Sequence, residues 1–144
     1  MKILKMKGLV YPDEYIIKYF FKKKFNKIKS NVLELGCSNG NNLKLFFEYG
    51  WNVTGVDNDT KCISNANSNF KYKKKNKILK NQFKFICEDM LTYIRSLKKI
   101  RFKSIIFANS LYYLTYEEIL KILLYLRKKI NKKTDIFFRV RLNG

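Results

Sequence analysis

The stretch NVLELGCSNG, residues 31–40, decides the fold. A short apolar run carries one carboxylate, Glu34, and ends at Gly36; a second glycine, Gly40, follows four positions later in a chain with only six. The run reads as a buried strand and the glycines as the two sides of a sharp turn. NNLKLFFEYG then reads as a helix closed by Gly50. A strand that turns through glycine into a helix leaves free N–H groups at the helix start, suited to a carboxylate or phosphate. Glu34, set in an apolar strand, has to find a partner.

Working outward, the same alternation repeats. Upstream, YPDEYIIKYFFKKKF opens as a helix at Pro12, Asp13 and Glu14, with Ile16, Ile17, Phe20 and Phe21 as its apolar face. Downstream, WNVTGVD is a second strand ending in an acid, and DTKCISNANSNF a helix with Asp59 or Thr60 as N-cap. KYKKKNKILKNQ is expected to be a surface helix end and loop. FKFICEDM is a third strand, again ending in acids, and LTYIRSLKK a short helix. A fourth strand runs from Lys103 to Ala108. In TYEEILKILLYLRKKIN, Ile119, Ile122, Leu123, Leu126 and Ile130 recur at helical spacing, with acids first and lysines last. TDIFFRVRL is a fifth strand. Strands alternating with helices predict an α/β fold: a parallel sheet between two helical layers, with ligands outside the carboxyl ends of the strands.

Three cofactor classes use such a turn. A P-loop needs a lysine after the second glycine, and Gly40 is followed by asparagine. A dinucleotide fingerprint would place glycines at Gly36, Ser38 and Asn41, and only the first matches. Asp57 lies about 20 residues on, where an acid holds ribose hydroxyls, a feature common to nucleoside cofactors.

VLELGCSNG, VTGVDND and FICEDM, in that order, resemble the class I S-adenosylmethionine-dependent methyltransferases, over the chain from roughly Tyr11 onward. The resemblance implies a Rossmann-like three-layer sandwich with a mostly parallel central sheet, and S-adenosyl-L-methionine as cofactor. Glu34, Gly36, Ser38 and Gly40 match the family's first motif, with Ser38 in place of its middle glycine and Cys37 beside it. Asp57, with Asn58 next to it, would accept from the ribose hydroxyls. Asp89 would accept from the adenine amino group, and the backbone of Met90 would contact the ring. Asn109 to Leu111 would run beneath the methionine part. The adjacent Glu88 is an alternative to Asp89. Tyr11 and Tyr15 from the N-terminal helix, and Tyr112 and Tyr113 after the fourth strand, are candidates for the substrate pocket.

Composition bounds the rest. The chain has 144 residues, 47% of them hydrophobic, and reads as one domain: residues 1–29 an N-terminal helical segment, 30–144 the cofactor-binding core. Three cysteines without a C-x-x-C pair, and no histidine, argue against a zinc site and exclude a histidine-based triad, so no metal is expected. No apolar run is long enough to span a bilayer, and MKILKMKGLV is too short in its apolar part for a secretory signal, so no membrane role and a cytoplasmic location are expected. The net charge of +20 raises a nucleic-acid partner. Yet only five basic residues are arginine, and lysine, asparagine and isoleucine are the residues of A/T-rich codons. The lysine excess is therefore attributed to codon bias and solubility.

The expected reaction is in-line methyl transfer to a small-molecule acceptor. ANSLYY lacks the prolines of enzymes that methylate exocyclic amines of bases, and resembles small-molecule and tellurite-resistance-like branches of the family. With no histidine, a tyrosine or carboxylate from NSLYYL or the N-terminal segment is the only proton acceptor to suggest, and no catalytic residue is assigned. The alternatives are an RNA- or ribosome-associated methyltransferase, favoured by the charge, and a non-catalytic partner subunit. The latter follows from an expectation that the chain lacks the family's usual last two strands, leaving the fifth-strand edge open to a second copy or a partner.

Overall fold

The computed structural model describes residues 11–140; the basic MKILKMKGLV and the last four residues lie outside them. Among the described residues five α-helices and five strands alternate. They are α1 (Glu14–Lys22), β1 (Asn31–Leu35), α2 (Asn41–Glu48), β2 (Asn52–Asp57), α3 (Thr60–Lys77), β3 (Phe83–Cys87), α4 (Met90–Ser96), β4 (Ser104–Ala108), α5 (Tyr116–Lys129) and β5 (Asp135–Arg139). The strands form one sheet in the order β3-β2-β1-β4-β5, and every pairing is parallel. The chain starts in the middle of the sheet, builds one half, then returns to build the other. The order switches between β1 and β4, where a ligand crevice is expected in an open α/β sheet.

Helices cover both faces of β1, which explains its near-continuous apolar run. Val32 and the Glu34 side point toward α1, α2 and α3, into a cluster with Ile16, Phe20, Phe46, Trp51 and Phe70. Leu33 and Leu35 point the other way, onto Ile94 of α4 and Ile122 and Leu126 of α5. The first cluster is largely aromatic: Phe20 meets Phe46 edge-on at 4.9 Å, and Trp51 packs on Phe25 at 4.9 Å while its indole N–H donates to the Phe25 carbonyl. The segment preceding β1 is thus part of the core layer.

Local caps fix the helix starts. Asp13 caps α1, Asp59 rather than Thr60 caps α3, Asp89 caps α4, and Thr115 with Glu118 forms a capping box on α5. Two expectations need correction. KYKKKNK is helical: α3 continues through it to Lys77, because Phe70 and Lys73 are buried one turn apart and the Lys73 and Lys77 ammonium groups both reach Glu48 on α2. The helix ends only at Ile78, which takes a left-handed conformation with φ 52°. Phe21 and Leu123 are exposed over about two-fifths of their surface; the buried faces narrow to Ile16 and Phe20 on α1, and to Ile122 and Leu126 on α5. β5 is the outer strand next to β4, and its Phe138 is half-exposed.

Candidate functional site

A pocket of about 540 Å³ opens at the carboxyl ends of β1, β2, β3 and β4. Each wall comes from the turn after a strand. Gly36 and Ser38 follow β1; Val56 to Asp59 close β2 and lead to Cys62 on α3; Glu88, Asp89 and Met90 follow β3; Ala108, Asn109 and Ser110 follow β4, with Tyr113 and Leu114 just beyond.

The β1 turn is held from below. The N–H groups of Gly36 and Cys37 both donate to the Val56 carbonyl, and Gly40 N–H donates to Cys37. Gly36 has φ +79°, and a Cβ there would lie 2.4 Å from the Ser110 Cβ. Its missing side chain therefore lets the turns after β1 and β4 meet. Ser38, where the resembled motif has glycine, sits at φ +50°, a left-handed conformation uncommon for serine. Its N–H donates to Asp57 Oδ2 at 2.8 Å.

Asp57 links two loops. One carboxylate oxygen accepts from Ser38 and the other from the Asp59 N–H at 3.0 Å. Asp59 in turn accepts from Lys61 and Cys62 N–H, and these backbone donors, that of Cys62 foremost, hold its carboxyl below the usual range. Asp89 Oδ2 accepts from the Thr92 N–H and hydroxyl, leaving Oδ1 for another donor.

Behind the turn, Glu34 is buried and accepts from Asn42 Nδ2 at 2.7 Å. Asn42 Oδ1 accepts the Asp13 N–H, so the start of α1 is pinned to the start of α2. Burial pushes the Glu34 carboxyl up to about 8; the Asn42 bond opposes that, and the negative Asp57 adds to it. Among the described residues three buried side-chain atoms make no hydrogen bond: Glu34 Oε1, Asn109 Oδ1 and Ser110 Oγ. Asn109 takes the left-handed conformation at φ +59°, which asparagine tolerates better than most residues. Asn109 and Ser110 belong to the pocket lining, whereas Glu34 lies behind it.

Of the residues singled out in the sequence, Gly36, Ser38, Asp57, Asn58, Asp89, Met90, Asn109 and Tyr113 line the pocket. Glu34, Cys37 and Gly40 are not among the lining residues. The Cys37 thiol is buried, and burial foremost pushes its pKa up, so it is a small core residue. Gly40 starts α2 at φ +81°, and a Cβ there would meet the Phe70 and Phe85 rings at about 3 Å. Nor do Tyr11, Tyr15 and Tyr112 line it. Tyr11 is exposed, and Tyr15 lies beneath the Arg139 guanidinium, 4.4 Å from its ring, where Arg139 also pairs with Asp13. Tyr112 stacks on Tyr113 at 4.3 Å. Ser110, within the stretch from Asn109 to Leu111 singled out in the sequence, also lines it; sequence reading missed Cys62 and Leu114, which line the pocket, and Gly55. A Cβ on Gly55 would come within 2.7 Å of the Cys37 sulfur and the Phe85 ring. The glycine within the WNVTGVD strand was the available signal.

A family model described as a methyltransferase domain matches residues 32–132. No curated protein matches the chain in sequence. Similar solved structures include the bifunctional kinase-methyltransferase WbdD, with TM-score 0.71 and 13% identity over 90% of this chain and 32% of that one. TehB from Haemophilus influenzae gives 0.64 and 18% over 83% and 37%. A SAM-dependent methyltransferase from Archaeoglobus fulgidus gives 0.65 and 20% over 85% and 49%. The chain thus spans between about a third and a half of these relatives.

Proposed function

The chain belongs to the methyltransferase-domain family, and from that membership we propose that it binds S-adenosyl-L-methionine in this pocket and transfers its methyl group to a small-molecule acceptor. One observation carries the choice of cofactor. The lining includes Asp57, Asp59, Glu88 and Asp89, and among the described residues no lysine or arginine. A pyrophosphate-bearing dinucleotide would meet repulsion there, whereas a sulfonium cation with ribose hydroxyls and an ammonium group meets acceptors.

The residues fit that ligand. Asp57 accepts the ribose hydroxyls while its bonds to Ser38 and Asp59 keep it oriented. Asp89, whose Oδ2 is taken by Thr92, would offer Oδ1 to the adenine amino group, with Glu88 beside it and Met90 against the ring. Asn109 and Ser110, which line the pocket after β4, would lie against the methionine end. The close approach of Gly36 to Ser110 shapes the floor between them. When bound, the cofactor supplies an activated methyl group, so these side chains need only hold acceptor and methyl in line. Such positioning lowers a barrier by roughly 7–11 kcal/mol. The acid lining also disfavours a phosphate-rich acceptor at the transfer point, which counts against the RNA alternative.

Equilibrium dialysis with radiolabelled S-adenosylmethionine tests the assignment. Asp57→Ala is expected to weaken binding at least tenfold, about 1.4 kcal/mol. Equal affinity in a folded variant refutes the role given to Asp57.

A further inference from the structure

The charge of the pocket and the aromatic pair beside it bear on the acceptor. The whole chain has 11 acids against 31 lysines and arginines, yet four of the acids line this one pocket. Beside it Tyr112 and Tyr113 stack with an interplanar angle of 27°, their hydroxyls hydrogen-bonded at 3.0 Å. Both are mostly exposed, at 52% and 78%, and Tyr113 lines the pocket. Ser110, also in the lining, is 6% exposed with a hydroxyl that makes no hydrogen bond. Stacked phenol rings favour a planar guest and a positive one.

Chemistry narrows the guest. An anionic acceptor is repelled by the lining. A hydroxyl acceptor has to lose a proton, and the chain has no histidine to take it. Three of the four carboxylates, Asp57, Asp59 and Asp89, are already engaged by backbone N–H groups, so Glu88 is the lining carboxylate left to serve a hydroxyl acceptor as base. An aliphatic amine is protonated at neutral pH, and neighbouring carboxylates hold that proton on. A pyridine-type ring nitrogen has a free lone pair at neutral pH and needs no base.

On the premise that the pocket binds S-adenosylmethionine, we propose that the acceptor is a neutral planar nitrogen heterocycle, stacked at the Tyr112–Tyr113 pair and methylated on its ring nitrogen. The ring lone pair forms the N–CH3 bond as the S–CH3 bond breaks, and that bonding pair stays on sulfur. The thioether leaves neutral and the positive charge moves to the ring. No proton is released and no further reactant is consumed. The pocket holds one positive charge before and after the step, so the acid lining serves both states.

The test is calorimetric titration of the full chain, saturated with S-adenosylhomocysteine, with two probes of one shape. One is the 1-methylnicotinamide cation; the other is 3-methylbenzamide, its neutral carbocyclic counterpart. The cation is expected to bind at least tenfold more tightly. Tyr113→Ala and Glu88→Gln should each shrink that ratio, and Tyr113→Phe should preserve it. Equal binding, preference for the neutral probe, or no binding of either at millimolar concentration overturns the proposal. S-adenosylmethionine titrated into the same preparation separates the two readings. If the cofactor binds and the cation is not preferred, the acceptor assignment alone fails. If the cofactor does not bind, the underlying function fails.

Discussion

Gly36→Ala isolates the contact on which the pocket floor depends. Two costs are separable. The backbone at Gly36 has φ +79°, and placing a Cβ in the left-handed region costs roughly 1–2 kcal/mol. That Cβ would also stand 2.4 Å from the Ser110 Cβ, and overpacking of this kind costs about 1–3 kcal/mol. The sum is about 2–5 kcal/mol, which for a domain of this size lowers the melting temperature by roughly 4–20 °C. Ser110→Gly removes the steric partner and leaves the backbone cost. The double variant should therefore recover about 1–3 kcal/mol relative to Gly36→Ala combined additively with Ser110→Gly. Urea unfolding of the four proteins closes the cycle. A coupling within about 0.5 kcal/mol of zero refutes the claim that these two turns touch through the missing Cβ. An unchanged stability in Gly36→Ala refutes both terms.

Three further outcomes follow from the same geometry. Ser38→Gly relieves a left-handed serine, and is expected to raise stability by up to about 1 kcal/mol in urea unfolding; a loss of 1 kcal/mol or more contradicts the strain at φ +50°. Glu34 has a folded pKa of about 8, above its unfolded value, so the folded state holds more protons between pH 4.5 and 8. Its contribution is therefore full below pH 4.5 and lost as pH rises through 8; Glu34→Gln should flatten that decline, and parallel pH–stability curves contradict the burial argument. Phe46→Ala empties the centre of the aromatic cluster between Phe20 and Trp51, and should cost about 3–5 kcal/mol by chemical denaturation; less than 1 kcal/mol places that cluster outside the cooperative core.

What was legible in the sequence was the part governed by local rules. Strands buried on both faces show as unbroken apolar runs, and the acids that end β2 and β3 stand out against them. Asp57 and Asp89 were found for that reason, and Gly36 because a turn needed it. Features set by distant contacts were hidden. The lysine-rich end of α3 looks like a loop until Glu48, 25 residues before Lys73, is seen to receive its charge. Tyr15 looks like a pocket residue until Arg139, at the far end of the chain, is found over its ring. The unpartnered hydroxyl of Ser110 has no local signature at all, since it depends on the approach of two turns that meet through Gly36 and Ser110, 74 residues apart.

Whether the acid-lined pocket takes a positively charged nucleoside cofactor is decided by calorimetric titration of the folded chain with S-adenosylmethionine, against NADH as control. Saturable binding of S-adenosylmethionine with no heat from NADH is the predicted result. Binding of NADH, or no binding of S-adenosylmethionine by a chain shown to be folded, would contradict it.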